Sequence, residues 1–475
     1  MSETAAPRAP KSAHPLARLR DPGTIRARCA DVLRAVEAGV SPYFKVDRSA
    51  LDAAAERVAA LTLRRFPDLK IPFHSRWRHF EAGGVDRLAE LNAALTANNA
   101  SVADRARAHI DLVVVSVLLD AGAGPKWSYE ENAVLDAMAL PAGRQSADEL
   151  QAMLSRAAAG TDAAEPTPAT PAPAAAAAAT GPRFTRSEGL GVATFRAFMA
   201  GAFSSDPRQP LRADAAALKL IDTAALRAVF QVTPNNPMVG LDGRAALISR
   251  LGAALQAEAA LDGGGPGTAR PSLMFDRLSG HGTRSHVTAT EVLGELLRCL
   301  APIWTSGSRV QGLPAGDVWA HAWAGAATGS GRPDATTAGW VPFHKLSQWL
   351  AYSMLEPLMW AGIEVTDLDA LTGLPEYRNG GLLLDAGVIV PRDPRLLAKV
   401  WKPADEFIVE WRALTVMLLD ELATRVRTKL GKSAADMPLA CVLEGGTWAA
   451  GREIAAELRE GGVPPLKIDS DGTVF

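Results

Sequence analysis

Three adjacent residues, Glu376, Tyr377 and Arg378, put a carboxylate, a phenol and a guanidinium in a row within LTGLPEYRNGGLLLDAGVI (Leu371–Ile389), and Asn379 and two glycines follow at once. A carboxylate among such neighbours suits a reaction that builds positive charge on a sugar ring: it can stabilise an oxocarbenium-like carbon or orient a water molecule. A plainer role also fits Glu376. Gly373 and Pro375 mark a turn or the start of a helix, and the helix dipole favours a carboxylate at that edge. That role accounts for Glu376 alone and leaves Tyr377, Arg378 and Asn379 unexplained.

One helix upstream, VPFHKLSQWLAYSMLEPL carries two faces. Phe343, Leu346, Leu350 and Met354 form an apolar stripe, whereas Lys345, Gln348, Trp349, Tyr352 and Glu356 fall on the opposite side. The second face fits a solvated surface and equally the wall of a polar pocket. A third group lies in IPFHSRWRHFEAGGVDR (Ile71–Arg87), where His74, Arg76, Arg78, His79 and Glu81 stand close together. Guanidinium groups offer fixed forks of donors, so this group suits an anion or sugar hydroxyls; a buried polar network joining two helices is the alternative. In RSEGLGVATFRAFMAGAFSSDP, Ser187 beside Glu188 reads as a helix cap rather than a nucleophile. In LEGGTWAAGR a Gly-Gly turn leads into a helix at Thr447 or Trp448, close to Glu444 and Arg452.

Other chemistries lack their residues. The spacing of His74 and His79 does not match the i, i+4 pair of a helical zinc site, and no cysteine is near. There is no GxSxG, no GxGxxG after a strand and no GxxxxGK[ST], which disfavours serine acyl transfer and nucleotide-phosphate cradles. A formal net charge of −2 offers no basic surplus for nucleic acid. Three scattered cysteines point to a reducing compartment. The first twenty residues hold no apolar core of a signal peptide, and LVVVSVLL (Leu112–Leu119) is too short to span a bilayer. The expectation is a cytoplasmic protein with a small-molecule partner, without nucleic acid, membrane, metal or redox cofactor.

Helical periodicity dominates the elements that must position these residues, and the fold is expected to be mainly α with few short strands. ALDAAAERVAALTLRRF (Ala50–Phe66) follows Asp47 and Ser49 as caps, and PADEFIVEWRALTVMLLDELATRVRTKLG fits a long helix with Pro403 in its first turn and Gly431 at its end. DAGAGPKWSYEE reads as a helix end running into a Gly/Pro turn. LVVVSV fits a strand or a buried helix, and KIDSDGTVF a C-terminal strand. Residues 1–20 are expected to be disordered, and Ala157–Pro182, rich in Ala and Pro, to be a linker or inserted loop within 157–183. The helical parts on either side, 21–156 and 184–475, are expected to form one globular unit.

HSRWRHFEAGG, DLVVVSVLLDAGAGPKW, RSEGLGVATFRAFMAGAFSSDP, PFHKLSQWL, LTGLPEYRNGGLL, LEGGTWAAGR and the terminal SDGTVF resemble the uracil-catabolism family of the fungal uracil catabolism protein four or Urg-three type, which has bacterial members assigned to a domain of unknown function. The resemblance runs from about Tyr43 to Phe475 without the Ala/Pro insert. It implies a role in a non-reductive route that degrades uracil through ribosylated intermediates, and cleavage of a ribosylurea-type intermediate into urea and the sugar or its phosphate. A more distant resemblance, carried by NPMVGLDGRAALISRLGAAL, PFHKLSQWLAYSM and LTGLPEYRNGG, is to the queuosine-salvage nucleosidase family. It implies an all-helical fold related to DNA glycosylases, with an acid at the ribose. That acid is an aspartate in the family and matches Glu376 here, and the family's lysine matches Lys345. The replacement of Asp by Glu, and different residues after Arg378, imply a different leaving group. The combined expectation is an N-ribosyl hydrolase with Glu376 and Lys345 as catalytic residues. Tyr377, Arg378, Gln348, His74, Arg76, Arg78 and His79 are its expected substrate-binding residues. A non-catalytic binding or scaffold protein of the same route is the alternative, and an amidohydrolase cutting the ureido group is a third reading.

Overall fold

The computed structural model describes residues 15–120, 122–131, 181–304, 307–325 and 337–469. Most of Ala157–Pro182 and the terminal SDGTVF lie outside the described residues. The architecture is mainly α. The helices that frame the site are α1 (Pro22–Glu37), α2 (Leu51–Arg65), α3 (Trp77–Phe80), α4 (Val102–Leu118), α5 (Arg186–Met199), α6 (Lys345–Trp360), α7 (Tyr377–Asp385), α8 (Glu406–Leu430) and α9 (Trp448–Leu458).

Local sequence explains most of these boundaries. Asp47 caps a short 3-10 turn ahead of α2 by accepting from the Ser49 N–H, so Ser49 is capped and does not itself cap the helix. In α8 the first turn carries Glu406, the last carries Arg427 and Lys429, and Gly431 closes the helix at φ 63°, a left-handed conformation that glycine adopts without a Cβ penalty. Pro403 lies ahead of the Asp405 N-cap rather than in the first turn. LVVVSV is helical. Ser101 and Asp104 form a reciprocal capping box at the start of α4, which fixes the helix before the β-branched run begins, and Val113, Val114 and Val115 are buried on all sides. Residues 15–20 also depart from the disorder expected for them: Pro15–Leu19 is a helical turn with Leu16 and Leu19 buried.

Among the described residues, strands occur in two-stranded ladders. Four of them matter here. β1 (Ser128–Glu130) pairs antiparallel with β2 (Arg183–Thr185), with Tyr129 opposite Phe184. The pair brings the start of α5 back beside the end of α4. β3 (Val318–Ala320) pairs antiparallel with β4 (Trp340–Pro342), with Trp319 opposite Val341, and β4 feeds directly into α6.

A continuous apolar core takes residues from Ile25 to Leu466. The long helix α8 packs against α1, α2 and α7; α6 packs against α4, and α7 against α9. Glycines allow the last of these contacts. A Cβ on Gly451 would stand 2.2 Å from the Arg378 carbonyl oxygen, and one on Gly380 would stand 2.3 Å from the Trp411 ring. Gly451 thus lets α9 sit against α7, Gly380 lets α7 sit against α8, and Gly381 faces Pro465. No helix among the described residues is long and apolar enough to cross a membrane.

Candidate functional site

Glu376 is the N-cap of α7. Its carboxylate accepts from the backbone N–H groups of Arg378 and Asn379, both at 2.7 Å, a usual way of satisfying the free N–H groups of a helix start. What is unusual for a cap is burial, for only 6% of the residue is exposed. Burial pushes the Glu376 carboxyl above the usual carboxylate range, against the pull of the two N–H groups, Lys345 and His74. Asn379, fully buried, holds the cap turn by donating to the Leu374 carbonyl and accepting from Thr447 Oγ1 at 2.9 Å.

Lys345 opens α6. The residue before it, His344, is left-handed at φ 48°, an uncommon conformation for a side chain with a Cβ, and its ring is fixed against the Leu19 carbonyl at 2.9 Å. Burial lowers the Lys345 ammonium below the usual lysine range, and Glu376 is the largest of the charges that oppose this, followed by Asp120. Lys345 and Glu376 are therefore within electrostatic reach, yet the ammonium makes no ion pair or hydrogen bond among the described residues.

One buried arginine ties the two elements together. Arg412, in the middle of α8, forms a fork on Asp317 through Nη1 at 2.7 Å and Nη2 at 2.8 Å, while its Nε donates to the Pro375 carbonyl at 3.2 Å. Asp317 in turn accepts the Lys345 backbone N–H at 2.9 Å and the Trp319 indole N–H at 2.6 Å. Burial would raise Asp317, but Arg412 outweighs it and keeps the carboxyl low. The same guanidinium thus braces the peptide before Glu376 and, through Asp317, the first turn of Lys345.

Asp120, whose charge also reaches Lys345, anchors a second buried group. Arg76 is fully buried. Its Nε donates to Ser116 Oγ at 2.7 Å, Nη1 pairs with Asp120 and also donates to the Ser187 carbonyl, and Nη2 has no hydrogen-bond partner among the described residues. The guanidinium stands 5.7 Å from the Trp349 ring centre, and His79 meets the same ring edge-on at 5.6 Å. His79 Nδ1 and Trp349 Nε1 are buried and also lack a partner among the described residues. Burial, then Arg76 and His74, holds the His79 ring well below the usual imidazole range, so it is neutral at pH 7. Buried polar atoms without partners are costly, and these three gather around the Trp349 ring.

The structure puts Glu376 and Lys345 within electrostatic reach of each other and Arg76 and His79 around the Trp349 ring, and it gives the other expected residues different work. His74 pairs through Nδ1 with Glu444 at 2.9 Å. Burial would raise Glu444, but His74 and Arg65 outweigh it and keep it low. Glu444 reaches His74 because Leu443–Thr447 is a π-helical turn continuous with α9, not the Gly-Gly turn expected; Gly445 and Gly446 lie against Val58 and Thr62 of α2. Arg78 is committed to Glu356 at 2.8 Å and Glu81 at 3.2 Å. Gln348, fully buried, accepts from the Thr372 N–H at 3.3 Å and so supports the segment leading to Glu376. Tyr377 lies at the rim, 39% exposed, with the Arg378 guanidinium 5.1 Å from its ring centre. Ser187 is not a cap, for its hydroxyl donates to Asp120 at 3.0 Å. Tyr352, placed with the polar face by spacing, is buried and donates to the Thr372 carbonyl.

Sequence reasoning missed Asp120, Asp317 and Arg412. The signal for Arg412 was present: an arginine within the apolar run FIVEWRALTVMLL, where a charge needs a partner. Asp317 and Asp120 offered no local signal.

Known proteins resemble this chain along nearly its whole length. The family described as "Protein of unknown function (DUF1688)" matches residues 18–145 and 173–475. Protein urg3 of Schizosaccharomyces pombe (strain 972 / ATCC 24843) is 34% identical over 470 residues, covering 98% of this chain and 100% of the relative. Uracil catabolism protein 4 of Lachancea kluyveri is 33% identical over 489 residues, covering 97% of this chain and 99% of the relative.

Proposed function

We propose, from the premise that the chain belongs to the DUF1688 family, that it acts in uracil catabolism as an N-ribosyl hydrolase, cleaving a ribosylurea-type intermediate to urea and the pentose. The pathway follows the name of the Lachancea relative. The chemistry follows the site, and one observation carries it. A buried carboxylate, Glu376, and a half-buried ammonium, Lys345, attract each other without direct contact, and buried polar atoms of Arg76, His79 and Trp349 lack partners among the described residues.

The reaction divides among these groups. The bond from the anomeric carbon to nitrogen breaks with its electron pair moving to nitrogen. Glu376, ionised, stabilises the cationic carbon and takes a proton from the attacking water, whose oxygen forms the new bond to carbon. Lys345, whose lowered proton affinity makes it a better acid, gives a proton to the departing nitrogen. The unpartnered N–H groups of Arg76 and Trp349, with His79 as its Nδ1–H tautomer, donate to the ureido oxygen as charge develops on it, the preorganised-donor effect of an oxyanion hole. With Arg76 paired to Asp120 and His79 neutral, this set of donors suits a neutral carbonyl.

The products separate this reading from its rivals. Purified protein given N-ribosylurea, with and without a 5-phosphate, is expected to release urea and the sugar in equal amounts. Ammonia as the first product would mean that the ureido group is cut instead. Saturable binding with no product would mean a binding protein.

A further inference from the structure

Thr62, Thr194 and Thr415 lie in helices, and each is 1% exposed or less. All three donate the hydroxyl to the carbonyl four residues back in their own helix, at 2.8, 2.7 and 2.8 Å, the usual way a buried helical threonine is satisfied. Thr447 is equally buried, at 1%, and does something else. Its hydroxyl donates across the fold to Asn379 Oδ1 at 2.9 Å. Thr447 closes the π-helical turn Leu443–Thr447, a geometry whose hydrogen bonds run from i to i+5 and which is frequent at functional sites. Close packing places this turn: a Cβ on Gly446 would stand 2.7 Å from the Val58 carbonyl oxygen, so α2 sets where Thr447 falls.

Asn379 passes the contact on to Glu376. Its Nδ2 donates to the Leu374 carbonyl at 3.2 Å, and its backbone N–H donates to Glu376 Oε1 at 2.7 Å. The Leu374 carbonyl also accepts the Glu376 backbone N–H at 2.9 Å. Leu374, Glu376 and Asn379 therefore form a closed turn around the carboxylate, and Thr447 reaches it from a separate element. A side-chain amide can turn end for end, which here would set Asn379 Oδ1 against the Leu374 carbonyl oxygen. A hydroxyl hydrogen on Oδ1 holds the amide the other way round.

We propose that Thr447 is a positioning residue for Glu376: its hydroxyl locks the Asn379 amide and, through it, the direction in which the buried carboxylate points. The inference rests on the N-ribosyl hydrolase reading for its effect on turnover. The relay of hydrogen bonds from Thr447 to Glu376 belongs to the free protein and does not depend on that reading.

Thr447→Val keeps the shape and removes the hydroxyl, and Thr447→Ser restores it. Hydrogen exchange of the Arg378 and Asn379 amides, the two donors to Glu376, reads the cap without substrate. Exchange there is expected to be at least about tenfold faster in Thr447→Val and to recover in Thr447→Ser. With N-ribosylurea, kcat should fall by roughly 10–10²-fold in Thr447→Val, the size of effect that misplacing a catalytic group produces, while KM stays within about twofold. The acid limb of kcat/KM should move to higher pH, because the two N–H bonds favour the ionised carboxylate, and Lys345 and His74, the charges that also favour it, stay in place. Thr194→Val removes an equally buried hydroxyl that bonds within its own helix and should leave kcat unchanged. Unchanged exchange at the two amides, a raised KM with kcat intact, a deficit that Thr447→Ser does not recover, or an equal deficit in Thr194→Val would each overturn the assignment. So would rapid exchange of Arg378 and Asn379 in the wild-type protein, a result that needs no folded variant. Wild-type protein that releases no urea would remove the hydrolase reading alone, and the exchange measurement would still decide whether Thr447 holds the cap.

Discussion

Arg412→Met removes the brace between the two halves of the site while keeping an unbranched side chain of similar length. The lost interactions include the two charge-assisted bonds to Asp317, the bond to the Pro375 carbonyl and the placement of the guanidinium 4.1 Å from the Phe343 ring centre. Asp317, 5% exposed, keeps only the Lys345 and Trp319 N–H groups. Removing one partner of a buried pair costs about 3–5 kcal/mol, because the other charge stays buried and uncompensated. Asp317→Asn removes that charge, so the double variant should lose less than the sum of the singles, with a coupling of about 1–3 kcal/mol. The deficit also has a pH signature. Arg412 holds Asp317 low, so in the wild type this carboxyl contributes stability above its unfolded pKa that is lost as pH falls. Without Arg412, burial raises the carboxyl above its unfolded value, and the variant's deficit relative to wild type shrinks as pH falls. Urea unfolding of the four proteins of the cycle at two pH values measures both effects, and turnover should fall with Arg412→Met because Lys345 and Pro375 lose their common anchor. Additive single effects, or an Arg412→Met protein with wild-type turnover, would refute the brace.

Other perturbations act on the centre and on packing. The pH dependence of kcat/KM should fall on the acid side with a midpoint above the ordinary glutamate value of ~4.3 and on the alkaline side below the ordinary lysine value of ~10.4, because burial raises Glu376 and lowers Lys345; limbs at the unperturbed values would contradict the roles given to both. Gly451→Ala places a Cβ 2.2 Å from the Arg378 carbonyl oxygen and should destabilise the protein by about 1–3 kcal/mol, the usual range for overpacking; an unchanged denaturation midpoint would show that α7 and α9 separate freely.

Much of the frame was legible in the sequence and much of the site was not, for physical reasons that differ by residue. Capping and periodicity are local, so the helices of Ala50–Phe66 and PADEFIVEWRALTVMLLDELATRVRTKLG could be placed within a few residues. LVVVSV stayed open between helix and strand because a fully buried segment has no polar face to set its period; the Ser101–Asp104 box just upstream held the answer. Glu376 could be placed at a helix edge from Gly373 and Pro375, but its burial depends on Lys345, His74 and α8, which only the tertiary fold brings near. The π-helical turn at Glu444 arises from how Gly445 and Gly446 settle against Val58 and Thr62, a contact invisible to local pattern. Asp317 and Arg412 are 95 residues apart, and neither spacing nor composition links them.

The central claim is that the Glu376 carboxylate, held in a buried helix cap opposite the Lys345 ammonium, carries cleavage of the bond between pentose and nitrogen. Glu376→Gln keeps the shape, loses one of two N–H bonds and removes a buried charge, so its unfolding free energy should stay within about 1 kcal/mol of wild type. Urea release from the ribosylurea substrate should nonetheless fall by about 10²–10⁴-fold, the range for loss of a positioned acid–base group. A folded Glu376→Gln protein that releases urea at the wild-type rate would contradict the account.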